Sequence, residues 1–218
     1  MMRVALAIGC VGWLTACASA AHPSTPSAHI AKIADVKSDF GPQFHVTNVA
    51  PTGIDPKILA TQNLPEGLTF EPADCAKIVT AAGVPPGVQG NMAAVAAEGD
   101  GNRFIAIAVE TSKPVPFTEP GSDCKKVGFT GAELRGVVET VEAPQIAGAR
   151  TLGVHRVVQA VIAGRPTTGE IYDYSAHFDD YQVIITANSL IVPGKPVVAV
   201  DTQRARSLLS ASVAAVRS

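Results

Sequence analysis

From Glu170 to Ser189 the chain alternates apolar and polar residues so regularly that a strand pairing can be read directly from it. Taking Asp179-Asp180 as a two-residue turn sets Phe178 opposite Tyr181. Tyr172, Tyr174, Ala176 and Phe178 then share one face with Tyr181, Val183, Ile185 and Ala187. Asp173, Ser175 and His177 share the other face with Gln182, Thr186 and Asn188. Strand side chains point alternately to opposite faces, so a slip of one residue would turn the whole apolar set to water. Asp-Asp lacks the glycine that type I′ turns prefer, so the alternation, more than the turn, carries the register.

Other segments add strands to this hairpin. Val88 to Ala97 and Arg103 to Thr111 flank a glycine-rich turn, and the second is nearly all apolar, as expected of a strand buried on both faces. Leu134 to Val141 and Leu152 to Ile162 are rich in valine, and Phe44 to Val49 reads as a further strand. Lys113 to Gly128, with three prolines, reads as a loop containing a short helical turn.

Helices flank the strands. Ile30 to Val36 is a short helical stretch. Pro72 and Asp74 suit a helix start, Cys75, Ile78, Val79 and Ala82 follow at helical spacing, and Gly83 with Pro85 suits its end. Asp201 is placed to cap a last helix whose Ala205, Leu208, Leu209, Val213 and Val216 form one apolar stripe. These elements predict a single α+β domain over residues 30–218. Its antiparallel sheet would have about six or seven strands, with helices packed on it.

The first residues carry an address. Arg3 precedes an apolar run from Val4 to Leu14 that is short for a membrane span and of the right length for an export signal. It ends in Leu14-Thr15-Ala16-Cys17, which resembles a bacterial lipobox. That resemblance implies a signal peptide over residues 1–16, cleavage before Cys17 and acylation of its thiol. The alternative is an ordinary signal peptide cut after Ala18 or Ala20. Residues 17–29, small, polar and proline-bearing, then read as a flexible tether. The expected location is the outer side of the cell membrane, with the membrane itself as a partner through the lipid anchor. Cleavage would also remove Trp13, the sole tryptophan, which disfavours a carbohydrate platform built on indole faces.

Two cysteines then remain for the folded part, Cys75 and Cys124, which lie 49 positions apart. Export favours a disulfide between them. The alternative, a reactive thiol or a metal pair, has no CxxC and no histidine at ligand spacing to support it.

Signals for chemistry are few. A formal net charge of −2 argues against a nucleic-acid partner. The motifs GxSxG, HExxH, GxxxxGK[ST] and GxGxxG do not occur. Asp173, Ser175 and His177 are the residue types of a hydrolase triad, but they sit at alternate positions of one strand, ~6.6–6.8 Å per step. A solvated strand face is the simpler reading. Arg135 and His155 alternate with valines on neighbouring strands and would share that face if the sheet order follows the chain. Arg135, His155, Asp173 and His177 are therefore the candidate polar binding residues. Their face either lines a cleft or forms a wet sheet exterior, and the exterior is favoured. His155 with His177 lacks a third metal ligand, and no metal or cofactor is implied.

Taken together, the lipobox, the Ser/Thr/Pro tether, Pro72-Ala73-Asp74-Cys75, a second cysteine about fifty residues on and a closing amphipathic helix resemble mycobacterial secreted lipoproteins of a domain-of-unknown-function group. More distantly the chain is similar to the extracellular sensor domain of the mycobacterial PknH-type kinases. It lacks the second disulfide and the tryptophan-cysteine element of that domain. The resemblance implies a cell-envelope lipoprotein with an antiparallel α+β fold and a non-catalytic role in binding a ligand or an envelope protein. Few aromatic and many aliphatic side chains favour an apolar or lipid-like ligand, held between the sheet and its helices. An envelope hydrolase with a nonstandard site, and a purely structural or assembly lipoprotein, are the competing classes.

Overall fold

The structure is a computed structural model that describes residues 29–55, 64–80, 88–162, 164–192 and 194–218. The signal peptide, Cys17, most of the tether and the helix end expected at Ala82 to Pro85 lie outside the described residues. Nine strands among them form one sheet: β1 (His45–Gly53), β2 (Thr69–Glu71), β3 (Gly90–Gly99), β4 (Asn102–Thr111), β5 (Lys126–Thr130), β6 (Leu134–Val141), β7 (Arg150–Ile162), β8 (Arg165–Phe178) and β9 (Tyr181–Ser189). Every pairing is antiparallel, in the order β1-β3-β4-β9-β8-β7-β6-β5-β2.

The expected count of six or seven strands is therefore too low. The two strands missed are β2 and β5, which pair with each other at the far edge, Phe70 opposite Phe129. β2 has three residues, and β5 has five with Gly128 at its centre, so neither shows a readable alternation. They form because β6 offers β5 an edge and because the Cys75–Cys124 disulfide ties the chain just after β2 to the chain just before β5.

The hairpin register is as read from the sequence. Phe178 faces Tyr181 and Tyr174 faces Ile185, and the Tyr174, Ala176, Phe178, Val183, Ile185 and Ala187 side chains are all buried. At the β3–β4 turn, Asp100 and Gly101 have φ of 49° and 75°. That is the left-handed pair a type I′ hairpin turn requires, and glycine adopts it without a Cβ penalty.

One face of β3, β4, β9 and β8 carries the main core. A 3-10 helix at Ile30–Asp39 lays Ile30, Ile33 and Val36 on it, and the C-terminal helix lays Ala205, Leu208, Leu209, Val213 and Val216. With a short helix α1 (Ala76–Thr80) near the disulfide, this C-terminal helix is α2 (Thr202–Val216). The Asp201 carboxylate accepts a hydrogen bond from the Arg204 N–H at 2.9 Å, so it caps α2. The opposite face of β3, β4 and β9 is also buried, through Met92, Ala94, Ile107, Val109 and Ile184. A strand closed on both sides has no wet face, which explains the unbroken FIAIAV run of β4.

Candidate functional site

The hairpin face that bears Asp173, Ser175 and His177 is covered, not wet. Gln182 has no exposed surface, and Thr186 and Ser175 are 4% and 9% exposed. The reason lies far away in sequence. The disulfide, with Cα atoms 5.4 Å apart and Cys75 buried, staples two irregular segments into a lobe that reaches this face. The lobe brings Leu64, Val79, Pro120 and Cys124 over sheet residues including Leu152, Asp173 and Ser175.

Between lobe and sheet lies a hollow of about 650 Å³ with its open mouth included; about 40 Å³ of it admits the centre of a water molecule. That inner space suits about three waters. Its described walls are mainly aliphatic, with Val138, Leu152, Val154 and Ile184 rising from the sheet. At its floor Arg156 Nη2 donates to Asp173 Oδ2 at 2.6 Å, and the Thr186 hydroxyl donates to Asp173 Oδ1 at 2.8 Å. The sheet register builds this cluster: Asp173 sits between Thr186 on β9 and Val154 on β7, and Arg156 lies two residues beyond Val154 on the same face. The two charged side chains are only 7% and 14% exposed. Burial pushes the Asp173 carboxyl above the usual carboxylate range, and the Arg156 charge with the two hydrogen bonds pulls it only part of the way back.

Arg156 is a site residue that the sequence reading missed. Its signal was available: one guanidinium inside the otherwise apolar alternate positions Leu152, Val154 and Val158. A cation on a stripe bound for burial calls for an acid on the next strand.

His177 is on the same face as Asp173 but belongs to a different environment. Its Nε2 lies 3.3 Å from Gln182 Nε2, and its ring meets the edge of Phe117 at 5.0 Å between centroids. Asp173, by contrast, is held by Arg156 and Thr186, so the acid and the imidazole have separate partners. Burial first, and the Arg150 charge second, lower the imidazole pKa to about 4. The folded state thus keeps His177 neutral where the unfolded chain, near 6.5, takes a proton. The associated stability is complete above pH ~6.5 and is lost as pH falls toward 4, by about 3 kcal/mol in total. Urea unfolding followed between pH 4 and 7 should show this loss in the wild type, and His177→Gln should flatten the curve over that window. An unchanged slope in the variant would assign the pH dependence to other groups.

Arg135 and His155 are on the opposite face. The sheet order does follow the chain from β5 to β8, yet the register pairs His155 with Tyr172 and with Glu139, and Arg135 with Gln159. The shared polar face expected for these residues with Asp173 and His177 is therefore corrected by a parity of one residue. His155 stacks on Tyr172 at 4.2 Å and reaches Glu170 at 3.3 Å, while Lys126 hydrogen-bonds Glu139 and holds its carboxyl below the ordinary value. Arg135 Nε donates to Gln159 at 2.9 Å. These groups form an exposed or half-exposed polar strip, remote from the hollow. Among the described residues no three His, Cys, Asp or Glu side chains are grouped to hold a metal ion, and no helix is long and apolar enough to cross a membrane.

No curated protein matches the chain. An X-ray structure of an uncharacterised Mycobacterium smegmatis protein, described as an Rv0999 ortholog, is similar at 60% identity with a TM-score of 0.83; the match covers 89% of this chain and 100% of that one. The family model described as a domain of unknown function (DUF5642) matches residues 29–217, the whole sheet and both of its covering layers. The chain belongs to the DUF5642 family.

Proposed function

We propose that this domain is a non-catalytic binding module of the mycobacterial cell envelope, held at the outer side of the membrane through Cys17, and that it takes an apolar, lipid-like ligand in the hollow between the sheet and the disulfide lobe. The observation that carries the reading is the composition of that hollow: aliphatic walls with a small polar floor, the usual make-up of a ligand site. The helix side of the sheet is filled by the main core, which moves the candidate site from the helix face to the lobe face. Support for the anchor comes from Leu14-Thr15-Ala16-Cys17 and the tether that follows, and the likeness to the PknH-type sensor domain belongs to the same reading.

An inner space of about 40 Å³ is smaller than an alkyl chain, so the ligand enters as the lobe yields. The lobe is suited to this: its regular structure among the described residues is two 3-10 turns and the five-residue α1, tied by one disulfide. Displacement of a fluorescent aliphatic probe from the purified protein tests the reading. Val154→Arg, which fills the hollow, should abolish binding. Affinity should change by about twofold or less between low and high salt, because burial of apolar surface, and not charge neutralisation, drives it. Undiminished binding by Val154→Arg would remove the hollow as the site.

A further inference from the structure

The floor of the hollow also says which head group a ligand can carry; this step rests on the reading just given. Among the described wall residues Arg156 and Asp173 are the charged ones, one of each sign, and they contact each other at 2.6 Å. Both side chains line the hollow, as do the hydroxyl-bearing Ser175 and Thr140. We infer that the site selects aliphatic molecules with an uncharged, hydrogen-bonding head, such as an alcohol, an ester or an amide, over fatty carboxylates and alkylammonium ions.

The physical reason is charge balance in a poorly solvated space. A carboxylate head placed at this floor gains attraction from Arg156 but meets repulsion from Asp173 at nearly the same distance. An ammonium head meets the reverse. Either ion surrenders its hydration for almost no net field, and an uncompensated buried charge is strongly disfavoured. An uncharged head gives up far less on leaving water, and Ser175, Thr140 and the polar edges of the ion pair offer it both donors and acceptors. Asp173 is thus a specificity residue: it cancels the cation that would otherwise recruit acids.

Equilibrium binding of 1-decanol, decanoate and decylammonium to the wild-type protein at pH 7 tests the inference. Decanol is expected to bind at least about tenfold more tightly than either ion. Asp173→Asn keeps the shape and the oxygen that accepts from Thr186, but leaves the floor with a net positive charge. Its preference should shift toward decanoate by about tenfold or more relative to decanol, and Arg156→Gln should shift preference toward decylammonium. Decanoate binding the wild type as tightly as decanol would overturn the inference even if both variants fail to fold. So would an unchanged preference in a folded Asp173→Asn protein. If none of the three molecules binds, the binding reading itself falls, and the selectivity falls with it.

Discussion

Asp173→Ala is expected to cost about 3–5 kcal/mol of folding stability, because it strands the Arg156 guanidinium in a buried site without its counter-charge. The pair is short, at 2.6 Å, and Arg156 is 7% exposed, so the few waters that the hollow admits replace a full counter-charge poorly. The Thr186 hydroxyl would also lose its hydrogen bond to Asp173. The pair itself, however, is not a large net source of stability. Burial raises the Asp173 carboxyl despite the adjacent cation, which means that desolvation outweighs the attraction it receives. A double variant, Asp173→Leu with Arg156→Met, should therefore recover most of the loss, since replacing both charges by apolar groups is often neutral or stabilising. Urea denaturation of the wild type, Asp173→Ala and the double variant separates the two effects. A single variant within about 0.5 kcal/mol of the wild type would behave as a surface change. That result would contradict the burial of the pair.

Phe178→Ala should have a comparable effect, about 3–5 kcal/mol, by emptying a site in the main core. Phe178 is 5% exposed, its ring stacks on Tyr181 at 5.7 Å, and the Arg217 guanidinium lies over it at 4.3 Å. Arg217 in turn donates to the carbonyls of Ala147 and Gly148, so the ring links the end of α2 to the loop between β6 and β7. Thr168→Ala, at an exposed position of the same strand, should stay within about ±0.5 kcal/mol. A loss within about 0.5 kcal/mol for Phe178→Ala would contradict the burial of the Tyr174, Ala176 and Phe178 face, and with it the β8 register read here.

The elements that the sequence reveals well are those with a local cause. The Glu170–Ser189 alternation sets both faces of the central hairpin, and the Asp201 cap with its apolar stripe sets α2. The unbroken FIAIAV run of β4 announces burial on both sides. The Cys75–Cys124 pairing is expected from there being two cysteines after Cys17 together with the export read from the first residues, and the bridge is present. What stays hidden has a distant cause. Nothing in Asp173, Ser175 or His177 states whether their face meets solvent or the lobe; the outcome depends on a disulfide and on proline-rich segments about fifty or more residues upstream. The placement of Arg135 and His155 turns on the parity of two pairings, β6 with β7 and β7 with β8, and an error of one residue exchanges the faces. β2 and β5 are stabilised by neighbours and by the disulfide, and their own short sequences carry too little pattern to announce them.

Methyl NMR decides whether an aliphatic ligand occupies the hollow between sheet and lobe. The Ile, Leu and Val methyl signals of the protein would be followed while 1-decanol is added. Val138, Leu152, Val154 and Ile184 line the hollow, and their methyl signals should move in a saturable way. Ile185, Leu208, Leu209 and Val213, packed between the sheet and α2, should hold still. Shifts confined to that helix-side core, or to the exposed Ile191 and Val197 of the loop before α2, would contradict the account.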